Sequence, residues 1–344
     1  YLCENSVISF SFFFIYHEIL AYSNGEKYNY HRIYNHPVIY SHIIGYSDKI
    51  VDKYGLEKEL NDYLVGKEGS KILKTFKSII NKKYDPYAGD DVTLTTDTNL
   101  QEKTRAVLSD NAKKGSVVIM NPKTGEVLSM VSLPDFNSQN IAKDMQAINE
   151  ANNGALFNSS TKGKFAPGSV YKIVTTTAIL ESGISQKYTD EGVEKIDNGR
   201  EFKNAGNKIY GRVDLKKAFT NSLNTYFVRK SVDMGIDIMS QVSERYMINK
   251  KVNFELPLET STWDYKRNGF DRTALGAAGI GHDTLLVTPL EMCMIASTIA
   301  NEGVMMQPHI VKRIDSSDGK NVVRNSPTVL SEVTSKENAE QIKK

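Results

Sequence analysis

Ser169 and Lys172 stand three residues apart in the stretch Lys164-Phe165-Ala166-Pro167-Gly168-Ser169-Val170-Tyr171-Lys172. That spacing places both side chains on one face of a helical turn, within hydrogen-bond reach of each other. A serine hydroxyl is a weak nucleophile and needs a base beside it. A lysine amine is such a base only when its ammonium is desolvated, which draws its pKa toward about 7–8. The residues that follow provide an apolar setting. Val170, Ile173, Val174, Ala178 and Leu180 continue into a helix expected to stop at Gly183. The same spacing recurs at Ser159 with Lys162 and at Ser317 with Lys320, but both pairs lie in polar runs that read as loops. Only Ser169 opens an apolar helix. The alternative there is a capping serine beside a solvated lysine.

The elements that must hold this pair are visible on either side of it. Val92-Thr93-Leu94-Thr95 reads as a short strand, followed by a helix to about Asp110 capped by Asp97 or Thr98; Thr98 with Gln101 has the form of a capping box. Ser116 to Met120 and Glu126 to Val131 are β-branched runs joined by Asn121-Pro122-Lys123-Thr124-Gly125, a hairpin contributing two strands of a central sheet. Asp214 to Thr220 and Thr225 to Met234 read as helices with Asn221-Ser222-Leu223-Asn224 at their junction. Thr288-Pro289-Leu290-Glu291 has the form of another capping box, with proline at the first helical position, and starts a helix with Leu290, Met294, Ile295 and Ile299 facing inward. Tyr22 to Tyr46 suits extended segments and turns, and Asp52 to Leu64 and Lys71 to Ile80 suit polar-faced helices. Asp85-Pro86-Tyr87-Ala88-Gly89-Asp90 reads as a boundary, dividing the chain into residues 1–86 and 87–344.

Composition narrows the class. The chain has 344 residues, 40% of them hydrophobic and 24% charged, enough for one large domain and a smaller one. A net charge of +2 with interspersed signs leaves no basic stripe for nucleic acid. Cys3 and Cys293 have no Cys or His at metal-ligand spacing, and a disulfide between them stays open. The six histidines form no HExxH or similar ligand pattern. Val7 to Tyr16 is apolar, but His17 and Glu18 interrupt it well short of the ~20 residues of a membrane span. The end of an anchor, a signal-like segment and sequence outside the fold are equally open readings of it.

Ser169-Val170-Tyr171-Lys172, followed by Ser222-Leu223-Asn224, resembles the active-site motifs of the penicillin-binding proteins. Further segments are similar to the monofunctional, class B branch: Ile44-Gly45-Tyr46-Ser47, Tyr54-Gly55-Leu56-Glu57, Asn121 to Leu128, Ala218-Phe219, and Gly279-Ile280-Gly281 with Val287-Thr288-Pro289-Leu290. The resemblance runs from about residue 40 to the C-terminus. It implies an α+β fold of the penicillin-binding protein and serine β-lactamase type, with helices on both faces of an antiparallel sheet, preceded by a small linker or pedestal module.

The resemblance also implies a reaction, peptidoglycan D,D-transpeptidation without metal or organic cofactor. Ser169 would attack the penultimate D-alanine carbonyl of a stem peptide, or a β-lactam, giving an acyl-enzyme. Lys172 would accept the serine proton, Ser222 would relay a proton to the departing amine, and Asn224 would hold the substrate's peptide bond. The Ser169 N–H would form part of the oxyanion hole. Implied partners are stem peptides, β-lactams and a membrane glycosyltransferase. The implied place is the extracytoplasmic face of a bacterial cell membrane. A β-lactam-hydrolysing or sensing relative and a non-catalytic scaffold of the same fold are the rival readings.

The family's third motif, Lys-Thr/Ser-Gly on a later strand, is expected beyond Lys344. Lys123-Thr124-Gly125 precedes the nucleophile and reads as turn chemistry. Gly281-His282-Asp283 replaces the family's usual Gly-Gln, with His282 read as a loop histidine. The chain starts at Tyr1, so both ends are expected to be truncated. Residues 1–344 alone are therefore expected to be poorly soluble and to bind labelled penicillin negligibly, while a chain continued through the third motif binds it covalently. Equal labelling of a monomeric, cooperatively folded 1–344 would contradict that expectation.

Overall fold

Within the apolar run, Phe12 to Ile15 form a strand. In the computed structural model, which describes residues 11–15, 18–26, 29–66, 89–197, 199–317 and 319–344, β1 (Phe12–Ile15) buries Phe13 and Ile15 with the two-residue alternation of a strand. It pairs antiparallel with β2 (Glu18–Glu26), which pairs with β3 (Asn29–Tyr34). On its other side β1 runs parallel to β4 (Asp91–Leu94), the strand expected at Val92. Among the described residues no helix is long and apolar enough to cross a membrane. Lys71 to Ile80 and Cys3 lie outside the described residues.

The hairpin expected around Asn121 is formed by β5 (Gly115–Met120) and β6 (Val127–Leu133). It is a two-stranded unit, separate from the main sheet. That sheet is completed late in the chain by β7 (Val311–Asp315), antiparallel to β4, and β8 (Asn321–Arg324), giving the order β8-β7-β4-β1-β2-β3. The sheet is mixed, not purely antiparallel as expected, because β1 enters beside β4 in the same direction. Strands from both sides of the expected boundary near residue 86 thus share one hydrogen-bonded sheet.

Two local expectations fail for identifiable reasons. Asp52 to Leu64 is not one helix. Asp52–Tyr54 pairs with Tyr46–Asp48 as a short hairpin, and only Leu56–Glu59 and Asn61–Leu64 are helical. Thr98 and Gln101 do not form a capping box. Asp97 caps α1 (Thr98–Asn111), its carboxylate accepting the Leu100 N–H at 2.8 Å. The buried Gln101 instead uses its amide in full. It donates to the Ile39 and Met130 carbonyls at 2.8 Å each and accepts from Ser129 Oγ at 2.8 Å and Met130 N at 2.9 Å. One side chain therefore joins the first module, α1 and β6.

The helical body around the candidate nucleophile consists of α2 (Lys172–Ser182), α3 (Asn224–Met234), α4 (Ile236–Arg245), α5 (Arg272–Ala278), α6 (Pro289–Ala300) and α7 (Lys336–Lys343). Helix α2 packs against α3, α4 and α7, and α5 packs on α3. Thr288 caps α6, accepting the Glu291 N–H at 3.2 Å, but the expected box does not close, because the Thr288 N–H donates to Ser261 Oγ at 3.1 Å; Leu290, Met294, Ile295 and Ile299 are buried as expected. Helices α1 and α6 both contact the hairpin.

The turn that carries Lys123 is built for its glycine. Gly125 adopts φ +81°, and a Cβ there would lie 2.1 Å from the Gln307 carbonyl oxygen. The approach is close because the turn docks on the segment leading into β7, with His309 N donating to Gly125 O at 3.1 Å and Val127 N to His309 O at 2.9 Å. Lys123 is exposed. Gly125→Ala should therefore destabilise the fold by more than about 1 kcal/mol, whereas Lys123→Ala should stay within about 0.5 kcal/mol of the parent. Denaturant midpoints measure both; equal losses would mean that the lysine carries a contact of its own.

Candidate active site

Ser169 lies in a 3₁₀ turn, Gly168–Tyr171, that feeds directly into α2. Side chains three residues apart eclipse one another in such a turn, so Lys172 lies directly under Ser169. The serine is exposed, while Lys172 is only 1% exposed. The turn is fixed from outside by the Gly279-Ile280-Gly281 segment. Gly168 N donates to Gly281 O at 3.0 Å, and Phe165 and Val287 exchange backbone hydrogen bonds at 3.0 and 2.9 Å. Gly281 has φ +78°, and a Cβ on it would lie 2.0 Å from the Gly168 carbonyl oxygen. No side chain fits there without displacing the residue before Ser169. Helix α2 ends at Gly183 in the left-handed conformation, as expected.

The second part of the site is a helix terminus. The helix Leu215–Thr220, capped by Asp214, closes with Ser222 N donating to Phe219 O and Leu223 N to Ala218 O, both at 3.0 Å. This is a Schellman closure, and its left-handed position normally holds glycine. Here Ser222 occupies it at φ +53°, a conformation costing a non-glycine residue about 1 kcal/mol. The cost is offset by what it presents: the Ser222 carbonyl and hydroxyl both face Lys172. Leu223 is buried, and Asn224 begins α3 without capping it.

All four residues singled out from the sequence converge on one nitrogen. Lys172 Nζ lies 3.2 Å from Ser169 Oγ, 2.8 Å from Ser222 O, 3.0 Å from Ser222 Oγ and 2.7 Å from Asn224 Oδ1. The Phe227 ring covers it, with its centroid 5.4 Å away. Burial lowers the Lys172 pKa to about 8. A count of donors then dictates the geometry. A neutral amine has two N–H bonds and one lone pair. Ser222 O and Asn224 Oδ1 can only accept, so they take the two hydrogens. The lone pair is left for a hydroxyl, that of Ser169 or of Ser222.

Asn224 is oriented by a contact that sequence reasoning missed. Its Nδ2 donates to the Lys203 carbonyl at 2.9 Å, which leaves the amide oxygen facing the amine. Lys203 lies in an arm of short strands between α2 and α3. No motif could have marked it, because it acts through its backbone. Gly281 was marked only as part of a family segment. Its close approach to Gly168 emerges from the geometry alone.

The remaining candidates lie elsewhere or play other parts. Ser159 sits in a turn with its N–H on Ser132 Oγ at 2.9 Å, and Ser316 N donates to the Lys320 carbonyl at 2.8 Å. His282 is exposed; its N–H bonds the Ala277 carbonyl at 3.0 Å, at the end of α5. Cys293 is a free thiol in α6. Among the described residues no group of three or more His, Cys, Asp or Glu is arranged to hold a metal ion.

Residues 115–344 match the penicillin binding protein transpeptidase domain, and residues 15–92 match the penicillin binding protein A dimerisation domain. The chain is 27% identical over 302 residues to the peptidoglycan D,D-transpeptidase MrdA of Acinetobacter baumannii, covering 81% of this chain and 44% of that relative. It is 26% identical over 331 residues to the D,D-transpeptidase PbpA of Mycolicibacterium smegmatis, covering 90% and 66%. The chain thus spans less than half the length of the A. baumannii relative.

Solved structures agree on the fold. Penicillin-binding protein A of M. tuberculosis, as its imipenem acyl-enzyme complex, superposes with a TM-score of 0.89 at 23% identity, covering 98% of this chain and 81% of that one. The D,D-transpeptidase domain of a peptidoglycan glycosyltransferase from Eggerthella lenta superposes with a TM-score of 0.85 at 29% identity, covering 98% and 80%. The family match over two thirds of the chain, taken with the serine-lysine centre at its heart, means that this chain belongs to the penicillin-binding protein transpeptidase family, in its class B branch.

Proposed function

We propose that the chain carries the acylation centre of a peptidoglycan D,D-transpeptidase, with Ser169 as nucleophile, Lys172 as its base, Ser222 as proton relay and Asn224 as substrate-binding residue. The observation that carries this reading is the hydrogen-bond count at Lys172, which leaves a desolvated amine with its lone pair turned toward a hydroxyl. As Ser169 Oγ bonds to the penultimate D-alanine carbonyl carbon, its proton passes to Lys172. The oxyanion forms at the start of a helical turn, where N–H groups lack intrahelical acceptors, and the Ser169 N–H is one donor available to it.

Collapse breaks the peptide bond to the terminal D-alanine, and the proton returns from Lys172 through Ser222 to the departing amine. An amine from a second stem peptide then attacks the acyl-enzyme by the reverse path, restoring the serine proton. Asn224 Nδ2 has a second hydrogen beyond the one given to Lys203 O, and this is free for a substrate carbonyl. A β-lactam would follow the first half of the path, its ring amide opening in place of the peptide bond.

The proposal extends to place and organisation. Residues up to about 86 form a linker or pedestal module and 87–344 the transpeptidase domain. The site works on the extracytoplasmic face of the cell membrane, beside a glycosyltransferase that supplies glycan strands. Family membership supports these assignments.

In the full-length gene product, fluorescent penicillin should attach to Ser169 and to no other serine. Labelling of Ser169→Ala, or a label mapped to Ser159, would end the assignment. Lys172→Ala should fold and acylate at least about 10²-fold more slowly. Because the Lys172 pKa falls from 10.5 to about 8, the reactive free base is depleted below that value and dominant above it. The acylation rate constant should therefore rise with pH through about 8 and then level off. A profile still climbing at pH 10 would place the base elsewhere.

A further inference from the structure

The orientation of Asn224 depends on the Lys203 carbonyl, and that carbonyl sits on an arm whose position is set by one buried carboxylate. Asp190, at the end of the strand Tyr188–Asp190, is 1% exposed. Its Oδ1 accepts from Thr225 Oγ1 at 2.7 Å, Asn204 Nδ2 at 2.9 Å and Gly192 N at 3.1 Å. Its Oδ2 accepts from Tyr210 N at 2.8 Å and Asn204 Nδ2 at 3.0 Å. Three segments of the arm and the first turn of α3 thus meet on two oxygens. Asn204 closes the connection: its Oδ1 accepts the Thr225 N–H at 3.3 Å, and its neighbour Lys203 holds Asn224.

We propose that Asp190 is a positioning residue for the serine-lysine centre, clamping the Asn204 loop to Thr225 so that the Asn224 amide keeps its oxygen toward Lys172. The inference rests on the reading of Ser169 and Lys172 given above. Its physical basis is the symmetry of an amide. The oxygen and nitrogen of Asn224 have nearly the same shape, and only their partners decide which faces the amine. With Lys203 O in place, the nitrogen must face the arm. If the arm shifts, the amide can rotate and turn N–H toward Lys172, which removes an acceptor and occupies the lone pair meant for serine.

The carboxylate suits this task because it is ionised where it lies. Burial opposes its charge, but the hydrogen bonds from Thr225, Tyr210 N, Gly192 N and Asn204 outweigh burial and hold its pKa below the ordinary value. An asparagine at 190 has the same shape but turns N–H against donors that already point inward. Thr225→Val removes one donor with little change in shape, and Thr225→Ser keeps it.

The test is penicillin acylation of the full-length gene product, for each variant alone and combined with Asn224→Ala. Asp190→Asn should slow acylation by about tenfold to a hundredfold. Thr225→Val should slow it less, in the same direction, and Thr225→Ser should stay within about twofold of the parent. In the Asn224→Ala background, Asp190→Asn and Thr225→Val should each change the rate by less than about twofold, since the amide they orient is gone.

Equal losses in both backgrounds, or parental rates in the variants, would overturn the proposal. If Asp190→Asn does not fold by circular dichroism, the Thr225 pair decides by the same criteria. Failure of the underlying reading looks different: the parent itself would not be labelled at Ser169.

Discussion

A lysine amine taken out of water is the constraint on which the rest of this structure turns. Desolvation alone would leave a buried nitrogen with unmet hydrogen-bonding capacity, a costly state. The protein meets it with two obligate acceptors and two hydroxyls, drawn from positions 169, 222 and 224. Each acceptor requires its own support. Ser222 takes a left-handed conformation at a helix end that would ordinarily use glycine. Asn224 is turned by a backbone carbonyl on a separate arm. The turn bearing Ser169 is held against Gly281, where only a hydrogen fits.

The first module is bound to the rest of the fold through backbone and side chain alike. Its strands share a sheet with β4, β7 and β8, so the segments near residues 12, 92 and 313 are assembled together although far apart in sequence. Gln101 adds a second tie, satisfying all its amide groups between Ile39 and the hairpin. Within β3 itself, the Arg32 side chain joins Glu57 at 2.6 Å and the Ser11 carbonyl at 2.6 Å. A break within this set leaves buried charge without a partner, which is far costlier than losing a surface pair.

What was legible in the sequence follows from which signals are local. The Ser169 helix, its stop at Gly183, the hairpin at Asn121, the cap at Thr288 and the junction at Ser222 are all set by nearby residues, and each is found where expected. Thr98 with Gln101 fitted a local template as well, yet the glutamine is recruited by long-range partners, and Asp97 alone makes the cap. Asp52 to Tyr54 looked helical because its polarity suits an exposed face, but pairing with Tyr46–Asp48 overrides that preference. The parallel entry of β1 and the arm that places Lys203 leave no local signature. Both arise from backbone groups meeting over long sequence separations.

The central claim is that burial brings the neutral, base-competent form of Lys172 within reach near pH 8, far below where an ordinary lysine loses its proton. Selective labelling of lysine side chains and titration of the Lys172 signal by NMR measures this directly, independently of any substrate. The account predicts a midpoint near 8 for Lys172. A midpoint at the ordinary lysine value of 10.5 would contradict it, since serine would then face an ammonium with no lone pair to accept its proton.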